Sequence, residues 1–276
     1  MITNKSSYEK YVREQLNNNQ NKRLDDIIKK YGLKYSDSFS ELIVLFSNIE
    51  ERASVESPFI IEQAKLKFES YVFDACLGSG STSIGLKQHG ISKIVSNEID
   101  TSLANYSSEQ AKQRGISLDI TPYDWRELDA HFKNEFDAVC CLGNSLTYIF
   151  NAEEQQKVVN NFASILKPEG YLIIDIRNYT ELLRGNFQNN SKGPYRAFDK
   201  ISLEPIYSSP DMAILRYAHK AKAIEHDLIL YPFKDGEIES LISGSGMVLK
   251  KTFGDYKENY DSKTVDYYTF IAQKPE

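Results

Sequence analysis

Residues 71–81 read Tyr71-Val72-Phe73-Asp74-Ala75-Cys76-Leu77-Gly78-Ser79-Gly80-Ser81. A short apolar run ends at an acid, passes through a glycine/serine turn and opens a helix-like stretch, Ser81 to Gln88. Glycines let backbone approach a ligand closely, and the helix start adds N–H donors. An ordinary tight turn has the same appearance, so neighbouring segments must decide. The third glycine of a dinucleotide fingerprint would fall at position 83, which is Ser83. No Gly-x-x-x-x-Gly-Lys-Ser/Thr run exists either, which excludes a P-loop.

Outward from this turn, strands and helices alternate. Ile94–Asn97 is a second short strand, Ser102–Arg114 a helix, Ile116–Ile120 a third strand. Phe136–Leu142 is apolar on both faces, as buried parallel strands tend to be. A helix over 152–166, a Lys167-Pro-Glu-Gly170 turn and a strand Tyr171–Arg177 follow. This alternation predicts a doubly wound α/β sheet. Residues 185–232 break it with β-rich pieces and turns at Ser209-Pro210 and near Ala221, an antiparallel insertion. A helix at 235–243 and strands near Val248–Tyr256 and Tyr267–Gln273 resume the pattern. Before residue 55, apolar residues at helical spacing (Tyr8, Tyr11, Val12, Leu16; then Leu24, Ile27, Ile28, Tyr31, ahead of Gly32) predict a helical cap. A third helical stretch spans Phe39 to about Phe46. The expected division is a cap over 1–55, a core over 56–184, the insertion over 185–232 and the rest of the core sheet over 233–276.

Composition narrows the function. With 33 Lys plus Arg against 39 Asp plus Glu, the net charge of −6 lacks the footprint of a general nucleic-acid binder. Three cysteines, two of them adjacent, give neither a disulfide framework nor zinc spacing. The polar N-terminus and the absence of long apolar runs predict a cytoplasmic protein without membrane contact. A homo-oligomer is compatible with the sequence.

Three acids carry the chemistry. Asp74 precedes the glycine turn, where an acid suits a ligand with cationic groups rather than a pyrophosphate. Glu98 closes the second strand, where a carboxylate can take both hydroxyls of a ribose. Asp100, two residues on, reads as a helix cap. Asp124 adjoins Trp125, the single tryptophan of the chain, and such a pair can read an adenine by hydrogen bond and ring contact. Acids and glycine turn together describe an adenosine with a positive tail instead of phosphates, which S-adenosylmethionine fits.

The segment Phe73–Asp199 resembles class I S-adenosylmethionine-dependent methyltransferases, and residues 45–276 are similar to glycine/sarcosine N-methyltransferases. The residues behind this are Asp74-Ala-Cys-Leu-Gly-Ser-Gly80, Asp124-Trp125, Cys141-Leu-Gly-Asn-Ser-Leu146, Leu166-Lys-Pro-Glu-Gly170 and Ile174-Asp-Ile-Arg-Asn-Tyr179. Glu51-Arg-Ala-Ser54, Leu230-Tyr-Pro232 and Thr252-Phe-Gly-Asp-Tyr256 add to them. The resemblance implies a seven-stranded Rossmann-like sheet with S-adenosyl-L-methionine as cofactor and a small amine as acceptor. It implies that Arg52 pairs with the cofactor carboxylate and that Asp74, Ala75, Gly78 and Gly80 surround its methionine part. Glu98 then holds the ribose, Asp124 and Trp125 the adenine, and the Leu142 carbonyl the ammonium. The resemblance further implies that Asn144 and Arg177 bind the acceptor carboxylate, with Tyr195, Tyr217 and Tyr231 around the acceptor. No metal is implied. The first 45 residues do not match the family's tyrosine-bearing N-terminal segment. Competing readings are a methyltransferase for a natural-product or peptide amine, and a non-catalytic S-adenosylmethionine-binding protein. A nucleic-acid base methyltransferase is disfavoured because the Asn/Asp-Pro-Pro-Tyr/Phe motif is absent.

Overall fold

The computed structural model describes residues 5–34, 43–44, 48–187, 201–219 and 221–276. Its centre is the strand predicted at the glycine turn. β1 (Tyr71–Asp74) pairs in parallel with β2 (Lys93–Asn97) on one side and β4 (Phe136–Cys141) on the other. β3 (Asp119–Thr121) extends the first side and β5 (Leu166–Arg177) the second. β10 (Tyr267–Gln273) inserts antiparallel between β5 and the edge strand β9 (Val248–Gly254). The order is therefore β3-β2-β1-β4-β5-β10-β9. The chain leaves β1 in one direction and returns on its other side at β4, so a crevice opens above their carboxyl ends.

Local chemistry sets the helices. α1 (Lys5–Gln15) buries Tyr8 and Val12 one turn apart, with Leu16 just beyond its end. Asn17 and Gln20 form a reciprocal capping box at the start of α2 (Asn18–Tyr31). Gly32, at φ 59°, ends it with its N–H on the Ile28 carbonyl at 2.9 Å. α3 (Ile49–Gln63) lies where the reading assigned no element, and it runs through residue 55. Buried Glu56 and Ser57 and an internal Pro58 blur its apolar stripe, which hides it from periodicity. α3 lies tightly on α4 (Ser81–Gln88): a Cβ on Gly85 would sit 2.3 Å from Ser57 Oγ. Only glycine permits that approach.

α5 (Thr101–Gln113) is capped by Asp100, whose Oδ1 accepts from the N–H groups of Ser102 and Leu103. α6 (Ala152–Ile165), α7 (Tyr179–Leu183) and α8 (Glu237–Gly244) complete the helices of eight or more residues and one short turn after β5. The third strand begins at Asp119 rather than Ile116, because Ile116 packs beside Ile84 and Ala111 instead. β5 starts at Leu166, so the predicted turn over 167–170 falls within it, with Glu169 at φ 62°. The third predicted helical stretch, Phe39 to Phe46, lies outside the described residues except for helical 43–44.

The insertion is a three-stranded antiparallel sheet, β6 (Ile201–Ser209), β7 (Met212–His219) and β8 (Ile224–Leu230), turning where predicted. It shares one apolar core with α1 and α2: Tyr8, Val12, Leu24 and Ile27 pack with Ile201, Ile214, Leu215 and Ile229. Polar ties reinforce the union. Arg23 meets Asp211 at 2.6 Å, the Lys34 N–H donates to Asp227 at 2.7 Å, and the Tyr8 hydroxyl accepts from the Ile229 N–H at 2.8 Å.

Candidate active site

A cavity of about 260 Å³ opens at the crevice above β1, β2 and β4. Its wall is built from chain ends. Ala75 and Gly78 come from the glycine turn, Glu98 from β2, Asp124 and Trp125 from the turn after β3, and Leu142 and Asn144 from the end of β4. Arg52 enters from α3 and Tyr217 from β7. Nine of the residues singled out in the sequence are thus brought to one surface, although the segments are far apart in the chain.

The glycine turn is shaped for close approach. Gly78 stands at φ +53°, and a Cβ placed on it would meet nothing nearer than 3.8 Å. Its carbonyl accepts from Ser107 Oγ at 2.7 Å, and its N–H donates to Glu98 Oε2 at 3.0 Å. Gly80 does not border the cavity; it begins α4 at φ +87° and presses against Ile84 and Ser107. Asp74 also lies beneath the surface, fully buried, accepting from Ser83 Oγ at 2.6 Å and the Cys76 N–H at 3.4 Å. It supports the turn rather than facing a ligand, and burial pushes its carboxyl up to about 6.

The Glu98 carboxylate holds Gly78 N–H on one oxygen and Asp100 N–H, at 2.9 Å, on the other. Each oxygen keeps a lone pair for a further donor. Burial pushes this carboxyl up to about 7. Asp124 is forked by Arg126, at 2.9 and 2.5 Å, which holds its carboxyl below the usual carboxylate range. Trp125 donates its indole N–H to the Ala75 carbonyl at 2.7 Å, pinning the loop after β3 to the glycine turn. The Leu142 carbonyl accepts from Cys76 Sγ at 2.9 Å and Ser145 Oγ at 2.8 Å.

At the far end the assignment changes character. Asn144 sits at φ 63° and spends both ends of its amide on protein: Nδ2 donates to Tyr179 Oη at 2.8 Å, and Oδ1 accepts the Arg177 N–H at 2.9 Å. Arg177 is buried but does not border the cavity. Tyr267, which does, accepts from Arg177 Nη2 at 2.6 Å. The guanidinium carbon lies 4.7 Å from that ring's centroid and 5.7 Å from that of Phe187. Arg177 Nε is buried without a hydrogen-bond partner among the described residues. A pocket of about 20 Å³ lies beside it, room for about one water. Tyr231 points elsewhere, donating to Glu237 at 3.1 Å. Tyr195 lies outside the described residues.

The sequence reading missed several residues of the wall. Tyr8, Tyr11, Tyr148 and Tyr267 border it, as do Cys76 and Arg126. With 18 tyrosines in the chain, residue type alone selects none of them.

Comparison with known proteins now bears on this geometry. A methyltransferase-domain family model matches residues 72–170, the stretch from β1 into β5. A glycine/sarcosine N-methyltransferase of Aphanothece halophytica is 31% identical over 244 residues, spanning 88% of this chain and 91% of that one. The chain belongs to the glycine/sarcosine N-methyltransferase family. Another member, from Halorhodospira halochloris, is 28% identical over 250 residues and 91% of each chain. The crystal structure of an S-adenosylmethionine-dependent methyltransferase from Clostridium acetobutylicum shares the fold, with a TM-score of 0.65 at 15% identity over 83% of this chain and 93% of that one. This N-methyltransferase accordingly has the Rossmann-like methyltransferase fold and uses S-adenosylmethionine. The donor set fits that cofactor: a carboxylate with spare lone pairs for a diol, a bare glycine turn, and a carboxylate and aromatic pair on one loop. Among the described residues no helix is long and apolar enough to cross a membrane.

Proposed function

We propose that this N-methyltransferase moves a methyl group from S-adenosylmethionine to the amine of glycine, sarcosine or a closely related small amino acid. The observation that carries the acceptor class is Arg177. A buried guanidinium whose Nε has no partner among the described residues, bonded to a tyrosine of the cavity wall, suits a carboxylate as a further partner. Relatives named for glycine and sarcosine along most of the chain support the same reading.

In this reading Arg52, Ala75, Gly78, Glu98, Asp124, Trp125 and Leu142 hold the cofactor, with Asp74 and Gly80 shaping the turn beneath. The cofactor, when bound, supplies a sulfonium methyl, an electrophile that needs no protein nucleophile. Asn144 fixes the end of β5 that carries Arg177, and Tyr217 and Tyr267 wall the acceptor side. Tyr231 and Tyr195 remain assigned to the acceptor side by resemblance alone. The chain's work is alignment at ~3–3.5 Å and exclusion of water. An amino acid arrives as an ammonium and loses a proton before attack. No histidine borders the cavity, so solvent takes that proton and the rate rises with pH.

A labelled-methyl assay over glycine, sarcosine, dimethylglycine and amines without a carboxylate tests the class, with Arg177→Ala as its partner measurement. We expect carboxylate acceptors alone to be labelled. We expect Arg177→Ala to raise the acceptor KM by about 30-fold or more, in keeping with a lost charged hydrogen bond, with the cofactor KM within about twofold. Labelling confined to amines lacking a carboxylate defeats the proposal, as does an equal rise of both constants.

A further inference from the structure

The segment Thr252-Phe-Gly-Asp-Tyr256 contributes no residue to the cavity wall among those described, yet its backbone turns through two successive residues at positive φ. Asp255 and Tyr256 follow one another at φ 46° and 61°, a left-handed pair without a glycine. Residues with side chains rarely adopt that conformation, and bulky ones are strained in it. The turn is held regardless. Gly254 and Lys257 exchange backbone hydrogen bonds at 2.9 and 2.8 Å, and the Asp255 carboxylate accepts from the N–H groups of Asp266 and Tyr267. A Cβ on Gly254 would fall 2.4 Å from Tyr260 Cγ, so the bend tolerates no side chain there.

The contortion delivers the Tyr256 ring against Phe59 of α3, centroids 4.7 Å apart, and its hydroxyl onto Glu56 Oε2 at 3.1 Å. Glu56 is fully buried. An isolated carboxylate there would be heavily penalised, so its partners are structural requirements. They are the Tyr256 hydroxyl, the Thr82 hydroxyl of α4 and, at 2.7 Å, Arg52 Nε one helical turn back. Burial holds the Tyr256 phenol far above its usual range, so it stays a donor. Arg52 itself borders the cavity, its Nη2 about where it would face a side chain on Gly143, 4.0 Å from that position. A free arginine has many rotamers, and fixing Nε spends that freedom during folding rather than binding.

We propose that Glu56 and Tyr256 are positioning residues that hold Arg52 in the rotamer receiving the carboxylate of S-adenosylmethionine. The proposal rests on the assignment of Arg52 to that carboxylate. Its signature is selectivity for one end of the cofactor: the amino-acid tail loses affinity while the nucleoside end does not.

The test is calorimetric titration of the full-length protein with two probes, S-adenosylhomocysteine and 5′-methylthioadenosine, which lacks the amino-acid tail. Variants are Glu56→Gln, Tyr256→Phe, Arg52→Ala and the double variant Glu56→Gln/Arg52→Ala. We expect Kd for S-adenosylhomocysteine to rise about tenfold in Glu56→Gln and about threefold in Tyr256→Phe. Kd for 5′-methylthioadenosine should stay within twofold in both. The double variant should bind no more weakly than Arg52→Ala alone. Equal losses for both probes, or additive losses in the double variant, overturn the positioning role while Arg52 keeps its own. Unchanged tail affinity in Arg52→Ala removes the underlying assignment instead. Tyr256→Phe keeps its ring packing and serves if the charge-removing variant does not fold.

Discussion

In the proposed reading Glu98 holds the ribose, and its ionisation then governs cofactor binding. Its carboxyl is pushed up to about 7 by burial, from an ordinary value of 4.5. The folded protein therefore holds this proton more tightly than the unfolded chain does. In the absence of ligand the group costs the fold increasingly as pH climbs from about 4.5 through 7. A ribose diol donates hydrogen bonds and prefers the ionised form, so cofactor binding should strengthen over the same interval. We expect Kd for S-adenosylhomocysteine to fall severalfold between pH 6 and 8. Glu98→Gln should bind more weakly at pH 8 and lose most of that slope. A slope of equal size in the glutamine variant, read by calorimetry, would assign the titration to another group. Asp74, pushed to about 6 by burial and eased by Ser83, titrates beneath the same turn and sets the residual slope.

Between elements, the tightest joint is α3 on α4. The ideal Cβ at Gly85 would lie 2.3 Å from Ser57 Oγ and 2.6 Å from Ala53 Cβ, inside any real contact distance. Gly85→Ala must push the helices apart, an overpacking that costs ~1–3 kcal/mol. At this chain length that corresponds to a Tm lowered by roughly 2–5 °C, measurable by scanning calorimetry. Because α3 carries Arg52, the cofactor KM should rise too; an unchanged Tm would mean the joint gives freely. This joint also marks the limit of what the sequence disclosed. The strands around β1 were legible because central parallel strands are apolar on both faces, and Asp100 declared its helix by its cap. α3 stayed hidden because its buried face carries Ser57 and Glu56, the latter held there by partners 26 and 200 positions away. Glu98, Asp124 and Trp125 could be named from their places after the strands, and Arg52 through the family resemblance alone. Tyr267 could not: what distinguishes it from 17 other tyrosines is Arg177, on the neighbouring strand.

Over the whole molecule, α1 and α2 belong structurally to the antiparallel sheet rather than to the flank of the Rossmann-like core. They also complete the cavity, since Tyr8 and Tyr11 border it beside Tyr217 and Leu228. Removing residues 1–34 would strip Val12, Leu24 and Ile27 from their shared core and bare Ile214 and Ile229. We expect the shortened protein to bind a dye for exposed apolar surface at least severalfold more than the full chain, and to lose methyl transfer. Retained activity would show the helices to be dispensable cover. The union of the chain's start with a sheet so late in the sequence has a consequence for its birth. The Tyr8 hydroxyl waits for Ile229, 221 residues downstream. At synthesis rates of about 5–20 residues per second, that is roughly 10–40 s on the ribosome with an oily stripe uncovered. The nascent chain thus has a long window for chaperone capture, because α1 and α2 leave the ribosome well before the sheet that covers them.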